Sequence, residues 1–128
     1  MDKITVLIAD DEPPALELMK RYVLQTPFLE LVHECNNAID ALNKWKTHPV
    51  DLLFLDIKMP GLSGLEMSRF IEGDSKVIFT TAYPEYAIDG YKVNAMDYLL
   101  KPYNYEEFLR NSFYKIENDF LNLIQEGR

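Results

Sequence analysis

The amino-acid sequence predicts an α/β domain with a doubly wound fold, built on a central five-stranded parallel sheet in the order 2-1-3-4-5. Short apolar runs alternate five times with segments whose apolar residues recur at helical spacing, as is typical of parallel sheets with right-handed crossovers. The run Leu52–Leu55 is apolar throughout, as expected for a strand covered by helices on both faces. The chain has 128 residues, which suits one hydrophobic core, and we expect a single domain over residues 1–128.

The first two strand–helix units follow directly from the N-terminus. A strand is predicted over Ile4–Ala9, and a helix from Pro13 to about Leu24, because a proline in the first helical turn loses no hydrogen bond. A second strand is expected within Phe28–Cys35, and the asparagine pair after it suits the cap of a second helix. The apolar positions of that helix are Ala38, Ala41, Leu42 and Trp45, and we expect the tryptophan to pack in the core.

The remaining three units follow the same alternation. The helix after the third strand opens with Ser63 and Glu66, which match the spacing of a capping box. The other predicted elements are a strand over 76–80, a brief helix containing Tyr86, Ala87 and Tyr91, a strand over 97–100, and a final helix from about Asn104 to Ile124.

Composition and charge exclude several classes of protein. The chain has 13 Lys and Arg against 21 Asp and Glu, so its formal net charge is -8, whereas binding to nucleic-acid phosphates needs clustered basic residues. No apolar run approaches the ~18 residues of a membrane span, and the N-terminus lacks a signal-peptide pattern. We therefore expect a cytoplasmic protein that binds no nucleic acid through this segment and contacts no membrane. The single cysteine, Cys35, fits a reducing compartment and should be a buried, inert thiol.

Polar residues follow four of the five predicted strands. Asp10 and Asp11 follow the first strand, Asp56 the third, Thr81 the fourth and Lys101 the fifth. Because the carboxyl ends of parallel strands meet at one edge of the sheet, we expect these side chains to converge there. Three carboxylates in one place would repel each other and raise their pKa values unless a cation joined them. Oxygen ligands of this kind favour Mg²⁺, with Mn²⁺ as the alternative.

This set of residues suits the transfer of a phosphoryl group. Lys101 supplies a positive charge and Thr81 a hydroxyl donor for the phosphoryl oxygens, and Asp56, at the end of the central strand, would be the nucleophile. A thiolate or imidazole metal site is not expected, because His33 and His48 are distant in the sequence and lack ligand spacing. We interpret both histidines as ordinary strand and turn residues.

Four motifs of the chain resemble the receiver domain of bacterial two-component response regulators. They are Asp10-Asp11, Asp56 within LDIKMPG, Thr81-Ala82 and Lys101-Pro102. The resemblance covers essentially the whole chain and implies the (βα)5 flavodoxin-like receiver fold. The run FTTAYPEYAIDGYKVNAMDYLLKPY further resembles the LytTR-type (LytR/AlgR) transcriptional regulators, in which a DNA-binding domain follows the receiver. We expect that C-terminal domain to be absent from this chain, which ends at Arg128.

The resemblance assigns roles to the acidic residues. It implies that Asp56 accepts a phosphoryl group from a sensor histidine kinase. It also implies that Asp11 and Asp56 bind Mg²⁺ directly, together with the backbone carbonyl of Lys58, and that Asp10 assists through water. A protein of this kind is a phosphoacceptor and not an enzyme, beyond catalysing its own phosphorylation and dephosphorylation.

The resemblance also implies which residues sense the phosphoryl group. Thr81 and Lys101 would contact its oxygens, and Tyr98 matches the switch aromatic of the family. Thr80 is the ambiguity, and Thr81 is preferred because it directly precedes a small residue, as the family threonine does. The alternative for Tyr98 is a half-buried strand tyrosine without a switching role.

Two further expectations concern the end of the chain. We expect a cis peptide bond between Lys101 and Pro102, because it would turn the lysine back towards the site in the least space. We also expect a two-fold homodimer on phosphorylation, through a face made by the fourth helix, the fifth strand and the fifth helix. The aromatic residues on or beside that face are Tyr86, Tyr91, Tyr98 and Tyr105, which could also be scattered surface residues.

Other functions share parts of this pattern. A Mg²⁺-dependent phosphatase of the haloacid dehalogenase type also uses an aspartyl nucleophile, but it needs a second aspartate where this chain has Lys58. A pseudo-receiver that only docks onto a partner would lack part of the acidic set or the lysine, and a stand-alone receiver would signal without a DNA-binding domain. A flavodoxin-like cofactor binder would need a phosphate-binding loop after the first strand.

Overall fold

Five parallel strands form a single sheet, described here from a computed structural model that covers residues 3–83 and 97–109. The strands are β1 (Ile4–Ala9), β2 (Leu29–Cys35), β3 (Leu52–Asp56), β4 (Lys76–Thr81) and β5 (Asp97–Leu100). Their order is β2-β1-β3-β4-β5, which confirms the predicted topology. Because β3 pairs with β1 on one side and β4 on the other, its last residue lies in the middle of the carboxyl edge of the sheet.

The helices begin where the sequence provides caps. They are α1 (Pro13–Gln25), α2 (Ala38–Thr47) and α3 (Gly64–Ser68), and residues 105–109 start a further helix. The Asn37 side chain accepts a hydrogen bond of 2.7 Å from the Asp40 N–H and so caps α2. Ser63 and Glu66 form the predicted capping box of α3. In the part of the chain that is described, no helix combines the length and the apolar character needed to cross a membrane.

Two hydrophobic clusters cover the two faces of the sheet. The α1 face joins Met19, Tyr22 and Val23 of α1 to the strand residues Val6, Ile8, Leu52, Phe54, Ile78 and Leu99. The α2 face joins Ala38 and Ala41 of α2 to the strand residues Leu7, Ala9, Leu53, Leu55, Val77 and Phe79. Because successive strand residues point to opposite faces, counting from these residues assigns the last residue of each strand to a face.

Element boundaries differ slightly from those that the sequence predicts. β3 includes Asp56, one residue past the predicted apolar run. Asp56 pairs in register with Thr80, and the Ile57 N–H donates to the Thr80 carbonyl at 3.0 Å. α1 likewise reaches Gln25, one residue past the predicted end. The brief helix around Tyr86, Ala87 and Tyr91, and the final helix beyond residue 109, lie outside the described residues.

Trp45 and Cys35 are core residues, as the sequence predicts. Trp45 packs against the cluster of the α2 face, and its indole N–H donates to the Ser75 hydroxyl at 3.0 Å. Cys35 is buried in the same cluster, and burial raises the pKa of its thiol to about 12. Since a protonated thiol is a poor nucleophile, Cys35 is inert at neutral pH.

Candidate functional site

Four carboxylates converge at the carboxyl edge of the sheet. Oxygen atoms of Asp10, Asp11, Glu12 and Asp56 all lie within 4.8 Å of one another. Asp10 and Asp56 are buried, with 0% and 5% of their surface exposed. The Glu12 N–H donates to Asp10 Oδ1 at 2.9 Å, which fixes the turn between β1 and α1. A group of carboxylate oxygens suits a hard divalent cation, so the residues present fit Mg²⁺.

Lys101 brings the one ammonium group that contacts these carboxylates among the described residues. Its Nζ lies 2.8 Å from Asp10 Oδ2 and 3.3 Å from Asp56 Oδ1. The lysine follows β5, where its backbone N–H donates to the Thr81 carbonyl at 2.8 Å and the peptide bond to Pro102 is cis, as predicted. Burial disfavours the ammonium charge, but the hydrogen bond to Asp10 and the nearby carboxylates outweigh it and raise the pKa of Lys101.

The charge of Asp56 is only partly compensated. Burial raises the pKa of its carboxyl group, the neighbouring charge of Asp10 raises it further, and Lys101 opposes both, so that the pKa of Asp56 is about 7. One ammonium group therefore faces more negative charge than it can neutralise. This imbalance is the electrostatic reason why the site suits a divalent cation.

The raised pKa of Asp56 predicts how stability depends on pH. The folded domain holds this proton up to about pH 7, while the unfolded chain releases it near the ordinary carboxyl pKa of 3.8. The contribution of this carboxyl to the stability of the fold is fully present below its pKa in the unfolded chain. It is lost as the pH rises through its pKa in the folded domain. When the pH is raised from about 5 to about 8, we expect ionisation of this carboxyl to lower the free energy of unfolding by roughly 1–2 kcal/mol, after allowance for solvent screening.

Urea unfolding of metal-free wild type and Asp56→Asn at both pH values measures this contribution. The difference between the two proteins isolates Asp56, because every other titrating group is common to both. We expect wild type to lose more stability than the variant as pH rises. An equal loss in both proteins would show that the carboxyl is not perturbed.

The backbone of Asp56 lies against the start of α3. The Gly64 N–H donates to the Ile57 carbonyl at 2.8 Å. A Cβ atom built on Gly64 would overlap the carbonyl oxygen of Asp56, so only glycine fits at this position. Gly61 lies in the turn between β3 and α3 and has a φ of 81°, a conformation that glycine adopts without strain. These two glycines hold the loop that follows Asp56 close to the sheet.

The hydroxyl of Thr81 is buried at the end of β4. Its Oγ1 accepts a hydrogen bond of 3.0 Å from the Tyr83 N–H. A hydroxyl that accepts one bond still has a proton to donate, so Thr81 keeps a donor for a group that enters the site. Among the described residues, no hydrogen bond joins this hydroxyl to Asp56.

Two aromatic residues, Tyr83 and Tyr98, lie near the end of β4. The Tyr83 ring lies under the ammonium group of Lys58, whose Nζ is 4.1 Å from the ring centroid. Tyr98 on β5 is half-buried and packs against Phe79, with ring centroids 5.4 Å apart. By register Tyr98 pairs with Phe79, so its side chain belongs to the α2 face.

The structure brings most of the predicted residues together. Asp10, Asp11, Asp56 and Lys101 form one cluster. The sequence reasoning did not assign a role to Glu12, which adds a fourth carboxylate. The signal for Glu12 was available, because it directly follows the aspartate pair at the end of a strand.

The two histidines are neighbours in space, although they are distant in the sequence. Their ring centroids are 6.3 Å apart, and His33 Nε2 lies 3.1 Å from the His48 carbonyl oxygen. The end of α2 returns beside β2, and this return is not visible in the sequence spacing. In the described ranges, no third carboxylate, thiol or imidazole joins them to make a metal site.

Comparisons with known proteins identify a family and several relatives that this chain resembles. The family described as the response regulator receiver domain matches residues 6–112. The transcriptional regulatory protein BtsR of Escherichia coli K12 is 43% identical over 101 residues, which make up 77% of this chain and 42% of that protein. BtsR of Salmonella typhimurium is 39% identical over 118 residues, which make up 91% of this chain and 49% of that protein. This chain therefore spans about half or less of the length of these relatives.

Solved structures share the fold. The response regulatory domain of MrkE from Klebsiella pneumoniae superposes with a TM-score of 0.80 at 26% identity, over 98% of this chain and 100% of that one. A DNA-binding response regulator of the LuxR family from Staphylococcus aureus superposes with a TM-score of 0.77 at 25% identity, over 90% of this chain and 97% of that one.

Proposed function

This chain belongs to the response regulator receiver domain family, and we propose that its Asp56 accepts a phosphoryl group from a sensor histidine kinase. One observation carries this proposal. Asp56 is a buried carboxylate at the centre of the carboxyl edge, with Lys101 Nζ 3.3 Å from one of its oxygens and three further carboxylates beside it. Such a group combines a nucleophile with the charges that phosphoryl transfer requires.

The transfer itself needs only positioning and charge compensation. An oxygen of the Asp56 carboxylate attacks phosphorus, the new O–P bond forms as the bond from phosphorus to the donor breaks, and the donor leaves with that electron pair. Lys101 would then neutralise phosphoryl oxygens, because its ammonium group already lies in the site. Thr81 would donate the proton that its bond to the Tyr83 N–H leaves free.

The carboxylate cluster and the family resemblance together support a set of metal ligands. We assign Asp11 and Asp56, the backbone carbonyl of Lys58 and, through water, Asp10 to Mg²⁺ or Mn²⁺. Bound there, the cation would neutralise negative charge on the transferring group. The charge of Asp56 is only partly compensated in the free domain, so the bound cation would stabilise the ionised form of this carboxylate most.

Metal binding should stabilise the fold. A cation that binds only the folded domain adds about 2.7 kcal/mol at a hundredfold excess over its dissociation constant, so melting should rise with Mg²⁺. Asp11→Ala should remove this response and stabilise the metal-free domain, because it removes one repelling carboxylate. Lys58→Ala is the matched control, since the proposed ligand is its backbone carbonyl. Equal responses to Mg²⁺ in wild type and Asp11→Ala would contradict a shared site.

Acetyl phosphate provides a direct test of the proposed function. Incubation of the chain with acetyl phosphate and Mg²⁺ should add the mass of one phosphoryl group. The adduct should be acid-stable and labile to hydroxylamine, as an acyl phosphate is, and a chelator present from the start should prevent it. A protein that stays unmodified under these conditions would count against a phosphoacceptor and in favour of a docking module.

We propose a transcriptional output for the whole protein. The relatives named as transcriptional regulatory proteins are about twice the length of the segment they share with this chain. The resemblance of the run from Phe79 to Tyr103 supports a LytTR-type DNA-binding domain following a receiver that spans residues 1–128. The receiver would act as the switch and the following domain as the DNA-binding part.

The switch is proposed to act through Thr81 and Tyr98. Both side chains lie on the α2 face of neighbouring strands, so a movement of Thr81 towards a phosphoryl group would leave space next to Tyr98. This change would alter the surface around β5, where Leu100 is 45% exposed. Leu100 therefore lies within the face that we propose for dimerisation.

Phosphorylation should shift the domain to a two-fold dimer through the face that includes β5. Beryllofluoride with Mg²⁺ should raise the sedimentation coefficient of wild type. Tyr91→Glu should abolish the shift without affecting phosphorylation, although Tyr91 itself lies outside the described residues. Ile39→Glu is the control, because Ile39 is an exposed apolar residue on α2. If the fully phosphorylated chain stays monomeric, dimerisation by the receiver alone is contradicted, and the signal would have to be passed on by another segment of the protein.

A further inference from the structure

Thr80 carries a hydroxyl that the roles described above do not use. The residue is fully buried, and its Oγ1 has no hydrogen-bond partner within residues 3–83 and 97–109. A buried hydroxyl without a partner lowers the stability of a fold, and valine would fill the same space without that loss. The hydroxyl therefore lacks a hydrogen-bond partner among the described residues of the free domain.

The register of the sheet places this hydroxyl beside Asp56. Thr80 pairs with Asp56 on β3 and with Leu99 on β5. Leu99 and Ile78 lie on the α1 face, so the side chain of Thr80 lies on that face. Asp56 lies on the same face by its spacing from Phe54. Neighbouring strands are about 4.8 Å apart, which leaves a short distance between the two side chains.

Thr81 lies on the opposite face. Counting from Phe79 places its side chain on the α2 face, and its hydroxyl is already bonded to the Tyr83 N–H. The two adjacent threonines therefore cannot substitute for each other. Thr81 approaches the site from the α2 face, whereas Thr80 lies on the side of the sheet that carries the Asp56 side chain.

We propose that the Thr80 hydroxyl is a further positioning group of the phosphorylation site, donating a hydrogen bond to the carboxyl oxygen of Asp56 once Asp56 is phosphorylated. In the free domain Lys101 Nζ lies 3.3 Å from Asp56 Oδ1. Phosphorylation moves negative charge outward onto the phosphoryl oxygens, which attract the ammonium group. The carboxyl oxygen outside the new O–P bond, which we assign to Mg²⁺, keeps a second lone pair that can accept a hydrogen bond. Thr80 lies on the adjacent strand, and its buried hydroxyl has no hydrogen-bond partner within the described ranges. This inference rests on the proposed function.

Thr80→Val and Thr80→Ser, made in the full chain, test this role by two measurements. Valine should raise the melting temperature of the free domain by about 3 to 6 °C, because it removes the unpaired hydroxyl. The same variant should bind beryllium fluoride with Mg²⁺ about three- to tenfold more weakly, because the bound state loses a hydrogen bond. Serine keeps the hydroxyl, so its affinity for beryllium fluoride should stay within about twofold of wild type.

The two readouts move in opposite directions, which a purely structural role would not produce. A valine variant that is more stable but binds beryllium fluoride as wild type does would overturn the inference, leaving Thr80 as a packing residue. A valine variant that is less stable in the free form would also overturn it, because the hydroxyl would then have a partner before phosphorylation. If wild type binds no beryllium fluoride and takes no phosphoryl group at Asp56, the proposed function fails first, and this inference fails with it.

Discussion

Asp56→Asn is expected to abolish phosphoryl labelling of the domain completely. The amide has no anionic oxygen to attack phosphorus, and among the described residues no other carboxylate combines burial at the centre of the sheet edge with a contact to Lys101 and three neighbouring carboxylates. Mass spectrometry after incubation with acetyl phosphate and Mg²⁺ measures the effect. The fold should remain, and at about pH 8 the metal-free variant should be more stable than wild type, because asparagine removes a buried, under-compensated charge.

Asp51→Asn is the matched control for this experiment. Asp51 directly precedes the same strand, β3, but lies at its other end, where its Oδ2 accepts hydrogen bonds from the Thr5 N–H at 2.9 Å and the Thr5 hydroxyl at 3.0 Å. Labelling should persist in this variant. Full labelling of Asp56→Asn would remove Asp56 from the proposed role, and loss of labelling in both variants would point to a general effect on the fold.

Gly64→Ala should have the largest effect on stability. Its methyl group would overlap the Asp56 carbonyl oxygen, which belongs to the backbone of a buried strand and cannot move aside as a flexible side chain can. We expect a loss of about 3 kcal/mol or more in the free energy of unfolding, a large part of the 5–15 kcal/mol typical of a domain. Urea unfolding at equilibrium measures this loss. In the fraction that folds, labelling of Asp56 should be slower.

Gly61→Ala separates steric overlap from backbone strain. Gly61 has a φ of 81° and no neighbouring atom within 4 Å of a Cβ built on it. Alanine there should cost only about 1 kcal/mol, through its unfavourable positive φ. A loss in Gly64→Ala no greater than in Gly61→Ala would show that α3 does not press against the strand that carries Asp56.

Much of the fold could be predicted because hydrophobic periodicity is a local property. The all-apolar run Leu52–Leu55 predicted a central strand, and it is one, with every residue buried. The capping box at Ser63 and the asparagine cap of α2 marked helix starts for the same reason. The parallel order of the sheet followed from the alternation of elements and the handedness of crossovers.

The convergence of the site residues could also be predicted, because parallel strands end at one edge. Asp10 and Lys101 are far apart in the sequence, yet each follows a strand, and their side chains meet at 2.8 Å. The roles of Thr81, Lys58 and Tyr98 stay predictions that rest on the family resemblance.

The sequence by itself determined the strand order and the meeting of the aspartates and Lys101 at one edge of the sheet. Only the tertiary structure decided which face of the sheet Thr80 and Thr81 each lie on, that Gly64 presses against Asp56, and that His33 meets His48. The physical reason is register. Periodicity shows that a strand exists, but the residue that it places beside Asp56 depends on backbone hydrogen bonds between strands that are distant in the sequence.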